Sequence, residues 1–255
     1  MHVHVHTVLS GGAPNIDADV VAVRRMIDRN PALRWSRRHG RSFLAHESHG
    51  AGESGAVGCR GERKGPATQQ GDPMPLRVFL VDITNRIGDD QRRTAVKAVL
   101  QSYFDKVAAK AKSDKVSVLF VSDDPKPNDN DLIAYYSSSG WHVVSQMPGA
   151  PAVNSTEGGL TYFNGKVTGS DVVANPDDDT TMVANLTFHE LMHNKLNIGD
   201  SMHRQGGLAR SPVDDSTPLT NANIEAMAKV LTKDRKQWVG GFALLKERHK
   251  PISVK

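Results

Sequence analysis

Apolar residues fall along the chain in two kinds of run. LRVFLVD (76–82) and KVSVLFVS (115–122) are short and almost continuously apolar, the pattern of strands buried on both faces. Between them Val96, Val99, Leu100, Tyr103, Phe104 and Val107 recur at helical spacing, so one stripe of a helix packs inward. Asp89 stands where it can cap that helix, which begins at Asp90 or Gln91. Strand, helix, strand in this order predicts a right-handed parallel crossover. DDPKPNDND (123–131) is a loop by its proline and aspartate content. IAYYS and WHVVS read as shorter strands. GLTYF and KVTGSDVV flank Asn164-Gly165, the strongest short hairpin signal, so the sheet should end in an antiparallel edge hairpin.

Downstream the period changes. PDDD (176–179) precedes a long helical stretch, TTMVANLTFHELMHNKLNIG. Acidic residues there complement a helix N-terminus, which favours a solvated cap over a calcium site. Gly199 fits the position just past the helix end. A polar, glycine-rich loop should follow, from Asp200 to about Thr220. Ile224, Met227, Ala228 and Leu231 mark a further helix, and KQWVGGFALLKERH one more short helix. The expectation is an α+β domain over 74–255, with a mixed sheet of four or five strands, a helix carrying HELMH, and a helical C-terminal part.

Residues 1–73 differ. They hold nine arginines, one lysine, six histidines and ten glycines, against eight arginines and fourteen lysines in 74–255. The run RWSRRHGRSFLAHESHGAGESGAVGCRGERKG cannot bury much apolar surface, and only Val20–Ile27 hints at a helix, so disorder is expected. Two readings stand: an upstream extension from a misplaced start, with the natural protein beginning at Met74, or a disordered basic tail. His2, His4 and His6 would share one face of a strand and could grip a metal ion, but at a flexible terminus they are read as incidental.

Charge and composition narrow the function classes. A net charge of +4 over 255 residues is small, and no lysine/arginine stripe with interleaved aromatics occurs, so nucleic acid is not an expected partner. The single cysteine, Cys59, excludes an internal disulfide and any cysteine-rich metal knuckle. No apolar run approaches the ~20 residues needed to span a membrane. The N-terminus lacks the pattern of a signal peptide, so the expected location is cytoplasmic, or outside the cell by export without a signal peptide.

The candidate chemistry lies in HELMHNKLNIGDSMH (189–203). His189 and His193, four apart on a helix, stand one above the other and can share one ion. Imidazole nitrogen suits Zn2+, which needs three protein ligands and an open position for catalysis. Glu190 lies about 100° round the helix, unable to ligate easily but able to reach a water bound at the ion. His142 and His249 read as structural or exposed.

With HELMH in place, the chain resembles the zincin metallopeptidases over roughly residues 76–205, in both the motif and the order strand, helix, strand, strand, edge hairpin, motif helix. The resemblance implies a zincin-like fold and a zinc-dependent hydrolase acting as a protease on a peptide or protein substrate. His189 and His193 would be metal ligands and Glu190 the general base. In the metzincin branch a third histidine follows a glycine turn. Here Gly199 and His203 lie six and ten residues after His193, wider than the family's spacing, yet four extended residues span about 13 Å and can return to the ion. His203 is therefore the expected third ligand. Asp200, from the same turn, and Glu225, in the manner of the gluzincin branch, are its rivals. Met227 is the nearest candidate for a methionine turn, although its helix spacing reads as core. GGLARSP (206–212) is placed by adjacency to wall a cleft. The alternatives are a non-catalytic domain, zinc-stabilised or metal-free, and a zinc amidohydrolase acting on a non-peptide substrate.

Overall fold

In the computed structural model the described residues are 75–150 and 158–249. The expectations for residues 1–73, His2, His4 and His6 included, lie outside them. The first strand, β1 (Arg77–Val81), is buried almost throughout. The Asp89 carboxylate then accepts from the Arg92 amide at 2.9 Å and starts α1 (Asp90–Ala111). That helix stops at Lys112, whose backbone is left-handed (φ 53°), where the Ser113 amide returns to the Ala108 carbonyl at 3.1 Å. β2 (Ser117–Phe120) comes back parallel to β1.

β3 (Leu132–Ser137) lies on the other side of β1, again parallel. β4 (Gly159–Phe163) and β5 (Thr168–Val173) form the expected antiparallel pair. The loop between them is four residues rather than two. Asn164 Oδ1 accepts from the amides of Lys166 (3.0 Å) and Val167 (3.1 Å), and Gly165 takes φ +82°, so the asparagine side chain imitates a backbone turn. The sheet has five strands in the order β2-β1-β3-β5-β4, with β4 at its end.

One expected strand is absent. Apart from an isolated bridge between Trp141 and Ser138, WHVVS joins no strand; residues Val143–Gln146 form a 3-10 turn. The cause is a buried carboxylate. Asp171, on β5, accepts from the Val144 amide at 3.0 Å and lies 2.6 Å from His142 Nδ1. The amide that a strand would give to its ladder goes to a side chain instead.

Asp179 caps α2 (Thr180–Leu196), accepting from the amides of Thr181 (2.7 Å) and Met182 (3.1 Å). Residues 183 to 195 of this helix are all buried. It ends two residues earlier than Gly199 suggested: Asn197 adopts the left-handed conformation (φ 55°), while Gly199 is extended (φ −80°) and opens the next turn. Asparagine tolerates that conformation better than other side chains with a Cβ. Two 3-10 turns follow, Asp200–Gln205 and Gly207–Ala209. α3 (Asn221–Ala228) is opened by a reciprocal capping box between Thr220 and Asn223, and α4 (Gly241–His249) ends the described chain. The domain is thus α+β with a five-stranded mixed sheet.

Strand alternation divides the core between the two sheet faces. Leu132, Ala134 and Tyr136 face the side of α1 and α2, with Phe104 and Phe188 at its centre, 5.3 Å apart and edge to face. Ile133 and Tyr135 face Val143, Met147, Phe242 and Leu245 on the other side. Met227 lies fully buried in the first of these clusters. Among the described residues no helix is long and apolar enough to cross a membrane.

Candidate metal centre

The helical spacing of His189 and His193 puts their rings on one face of α2, with Nε2 atoms 3.1 Å apart. His203, on the 3-10 turn after Gly199, brings its own Nε2 to 3.1 Å from that of His193. The ligand atoms of the three all lie within 4.8 Å of one another, and among the described residues no other group of histidine, cysteine or carboxylate side chains converges this way. His189 and His193 are fully buried and His203 partly so.

The distal nitrogens fix the proximal ones. His189 Nδ1 lies 2.6 Å from the Leu208 carbonyl oxygen, and His193 Nδ1 lies 2.8 Å from that of Ile198. A carbonyl can only accept, so each Nδ1 carries the proton and donates it. In the neutral form of such a ring Nε2 is the acceptor nitrogen, the one that can ligate a cation, and the Nε2 atoms of His189 and His193 face each other at 3.1 Å. The donor set could hold a metal ion.

The carbonyls belong to a segment that is itself secured. Asn223 Oδ1 accepts from the Leu208 amide at 2.9 Å, and its Nδ2 donates to the Gly206 carbonyl at 3.0 Å. GGLARSP therefore supplies a hydrogen-bond acceptor for a ring nitrogen as well as bulk near the histidines. Sequence reasoning missed Asn223, Leu208 and Ile198, because a backbone carbonyl acceptor has no residue signature.

Glu190 faces the sheet at β4. It is fully buried, and its Oε2 accepts from Thr161 Oγ1 at 2.7 Å. Gly159, two residues earlier on the same strand face, lies so close that an added Cβ would sit 2.5 Å from Oε1. Glycine at 159 is what leaves room for the carboxylate. Behind it runs a buried polar line: Thr161 Oγ1 to Ser170 Oγ (2.9 Å), Asn194 Nδ2 to Ser170 Oγ (3.0 Å), and a paired amide contact between Asn194 and Gln237 at 3.0 Å each way. Thr161 and Gly159 were also missed; their role follows only from the packing of β4 over α2.

The two rivals for the third position fall elsewhere. Glu225, on α3, is half exposed and pairs with Lys110 Nζ at 2.6 Å, which holds its carboxyl below the usual carboxylate range. Asp200 is exposed at the start of its turn and does not join the three histidines. His142 is buried against Asp171, and His249 is exposed at the end of α4. Comparison with protein families, with curated proteins and with solved structures finds no match for this chain.

Proposed function

We propose that the chain is a zinc-dependent hydrolase of zincin type, a peptidase cleaving peptide or protein substrates, with His189, His193 and His203 as ligands and Glu190 as general base. The observation that carries this reading is the convergence of three imidazole nitrogens, two with their protons committed to carbonyls on the far side of the ring. Four ligands in a tetrahedron at 2.0–2.1 Å from zinc stand about 3.3 Å from one another. The two Nε2 separations of 3.1 Å fit that within a few tenths of an ångström. Carbonyls that orient the rings and raise their basicity are what zinc-binding histidines ordinarily have behind them.

Three protein ligands leave the open position a catalytic site needs. Zinc held there would supply Lewis acidity, acidifying a water and polarising a substrate carbonyl. The protein's own part is proton transfer and orientation. Glu190 takes the proton from the attacking water on its carboxylate and returns it to the leaving amine. Thr161 fixes Oε2, which sets the plane of the carboxylate and so the direction of Oε1. β4, at the end of the sheet, can add an extended peptide as a further strand.

The full-length chain, loaded with zinc, tests this against a library of internally quenched peptides. Glu190→Gln keeps the hydrogen-bonding shape and removes the base. Turnover should fall by the roughly 10²–10⁴ typical of general-base loss while zinc stoichiometry stays at the parent value. Retained zinc with parental turnover in the variant would reject Glu190. Zinc binding with no cleavage of any peptide would favour a zinc-stabilised binding domain or an amidohydrolase for other substrates.

A further inference from the structure

On the sheet face opposite the metal centre, the chain builds a second pocket. β1 and β3 are adjacent and parallel, yet the segments leaving their carboxyl ends diverge. The chain after β1 leads to α1, on the face of Phe104. The chain after β3 leads to Trp141, Val143 and Val144, on the face of Tyr135. In an open parallel sheet this divergence opens a crevice at the strand ends, and such crevices are where small ligands bind. Here it is a cavity of about 350 Å³, lined by Thr84, Arg86, Ser137, Ser138, Trp141, Leu245, Arg248 and His249. That volume lies at the lower end of small-molecule sites.

Its lining contains two arginines and no carboxylate. Arg86 spends its Nε on the Thr84 hydroxyl at 3.3 Å, and Arg248 lies over the Trp141 ring at 3.8 Å. Neither makes an ion pair among the described residues. Two unneutralised guanidinium groups beside one crevice favour an anion with several acceptor oxygens.

Ser137 supplies an independent indication. As the last residue of β3 it faces the same side as Tyr135, is only 1% exposed, and lines the cavity. Its hydroxyl has no hydrogen-bond partner among the described residues. A buried hydroxyl left unpaired costs stability, and every buried polar group without a partner calls for a reason. A ligand oxygen in the cavity would give it one.

The geometry points to a binding site for a small organic anion, a phosphate or carboxylate compound, clamped by Arg86 and Arg248 with the Ser137 hydroxyl donating to one oxygen. This site does not depend on the zinc reading, since its lining and the histidine cluster share no residue.

Calorimetric titration of the full chain at low ionic strength, with inorganic phosphate, glycerol phosphate and succinate in separate arms, tests it. Saturable one-to-one binding is expected in at least one arm. The arm that binds tells whether phosphate, its ester or a dicarboxylate is the preferred chemistry. Arg86→Met and Arg248→Met should each weaken that binding about tenfold or more. His203→Ala, at the metal centre, should leave it unchanged, which separates this pocket from an anion held at a metal ion. Ser137→Ala should weaken binding several-fold while leaving the melting temperature of the free protein equal to or above the parent's, because it removes an unpaired hydroxyl. Absence of saturable binding in all three arms would overturn the proposal. Binding that survives both arginine changes, or that disappears in His203→Ala, would overturn it too. A lower melting temperature for Ser137→Ala would show that its hydroxyl already has a structural role and would remove it from the site.

Discussion

Gly159→Ala isolates the contact between β4 and Glu190. The new Cβ would stand 2.5 Å from Oε1, 2.8 Å from Cγ and 2.9 Å from Cδ of that residue. Restoring ordinary contact at Oε1 requires a displacement of about 0.9 Å. The carboxylate is fully buried and held at 2.7 Å by Thr161, so a move of that size breaks the hydrogen bond or pushes the strand off the helix. Overpacking of this kind costs about 1–3 kcal/mol. The backbone at 159 is not in the left-handed region. Without the clash, alanine would stabilise by about 0.4–1 kcal/mol through the unfolded chain. The two estimates have opposite sign, and a double-mutant cycle separates them. Urea unfolding of Gly159→Ala, Glu190→Ala and the double variant should show a loss of about 1–3 kcal/mol in the parent background. In the Glu190→Ala background the same change should be neutral or a gain, a coupling of roughly 2 kcal/mol. An equal penalty in both backgrounds would show that the carboxylate is not what glycine accommodates. If Glu190 is the base, the same displacement should also cost about 10² in turnover.

Three further outcomes are expected. Zinc affinity should be unchanged in Asp200→Ala and Glu225→Ala but reduced by more than the 10–100-fold typical of supporting residues in His203→Ala, as read by competition with a chromogenic chelator; a reversal of that order would reassign the third ligand. Burial lowers the Lys195 ammonium to about 8, and its Nζ donates to the carbonyls of Asn130 (2.7 Å) and Lys233 (2.8 Å); because the folded state releases this proton more readily than the unfolded chain, stability should rise between pH 8 and 10.5 by up to about 3 kcal/mol. Above about pH 10 the buried hydroxyls of Tyr135 and Tyr136, both pushed upward by desolvation, oppose that rise, so urea midpoints at pH 8.0, 9.0 and 9.8 carry the test, and a slope identical in Lys195→Met would refute it. Phe188→Ala removes the ring that meets Tyr103 at 5.5 Å and Phe104 at 5.3 Å, and should cost about 3–5 kcal/mol by chemical denaturation; a loss under 1 kcal/mol would mean that α1 and α2 are held by other contacts.

Much of this was legible because the relevant patterns are local. Continuous apolar runs placed β1 and β2, the shorter IAYYS placed β3, and Asp89 and Asp179 both cap the helices they precede. The i, i+4 histidines needed only the helix to meet, and His203 needed only a chain length that permits return. WHVVS failed because its local preference was overridden by Asp171, which is distant in sequence and takes the Val144 amide. The end of α2 was misplaced because Asn197 and Gly199 both suit a helix stop, and nothing in the sequence chooses between them. Glu225 could be separated from His203 only once Lys110 was seen beside it. The buried Lys195, whose spacing looks like that of any exposed helical lysine, carries no signal of its burial.

The segment from Ile198 to Leu208 meets the histidine cluster three times: through the Ile198 carbonyl, the His203 ring and the Leu208 carbonyl. It cannot peel away without releasing two ring tautomers and one candidate ligand together. Whatever binds the converged imidazoles must therefore tax the opening of this stretch by its own binding free energy, and the coupling runs both ways. Chelation would expose the segment to proteolysis, and a nick within it would lower the affinity of the remaining two histidines. If the proposed metal site is filled, the rate at which a protease cuts between 198 and 208 would gauge its occupancy.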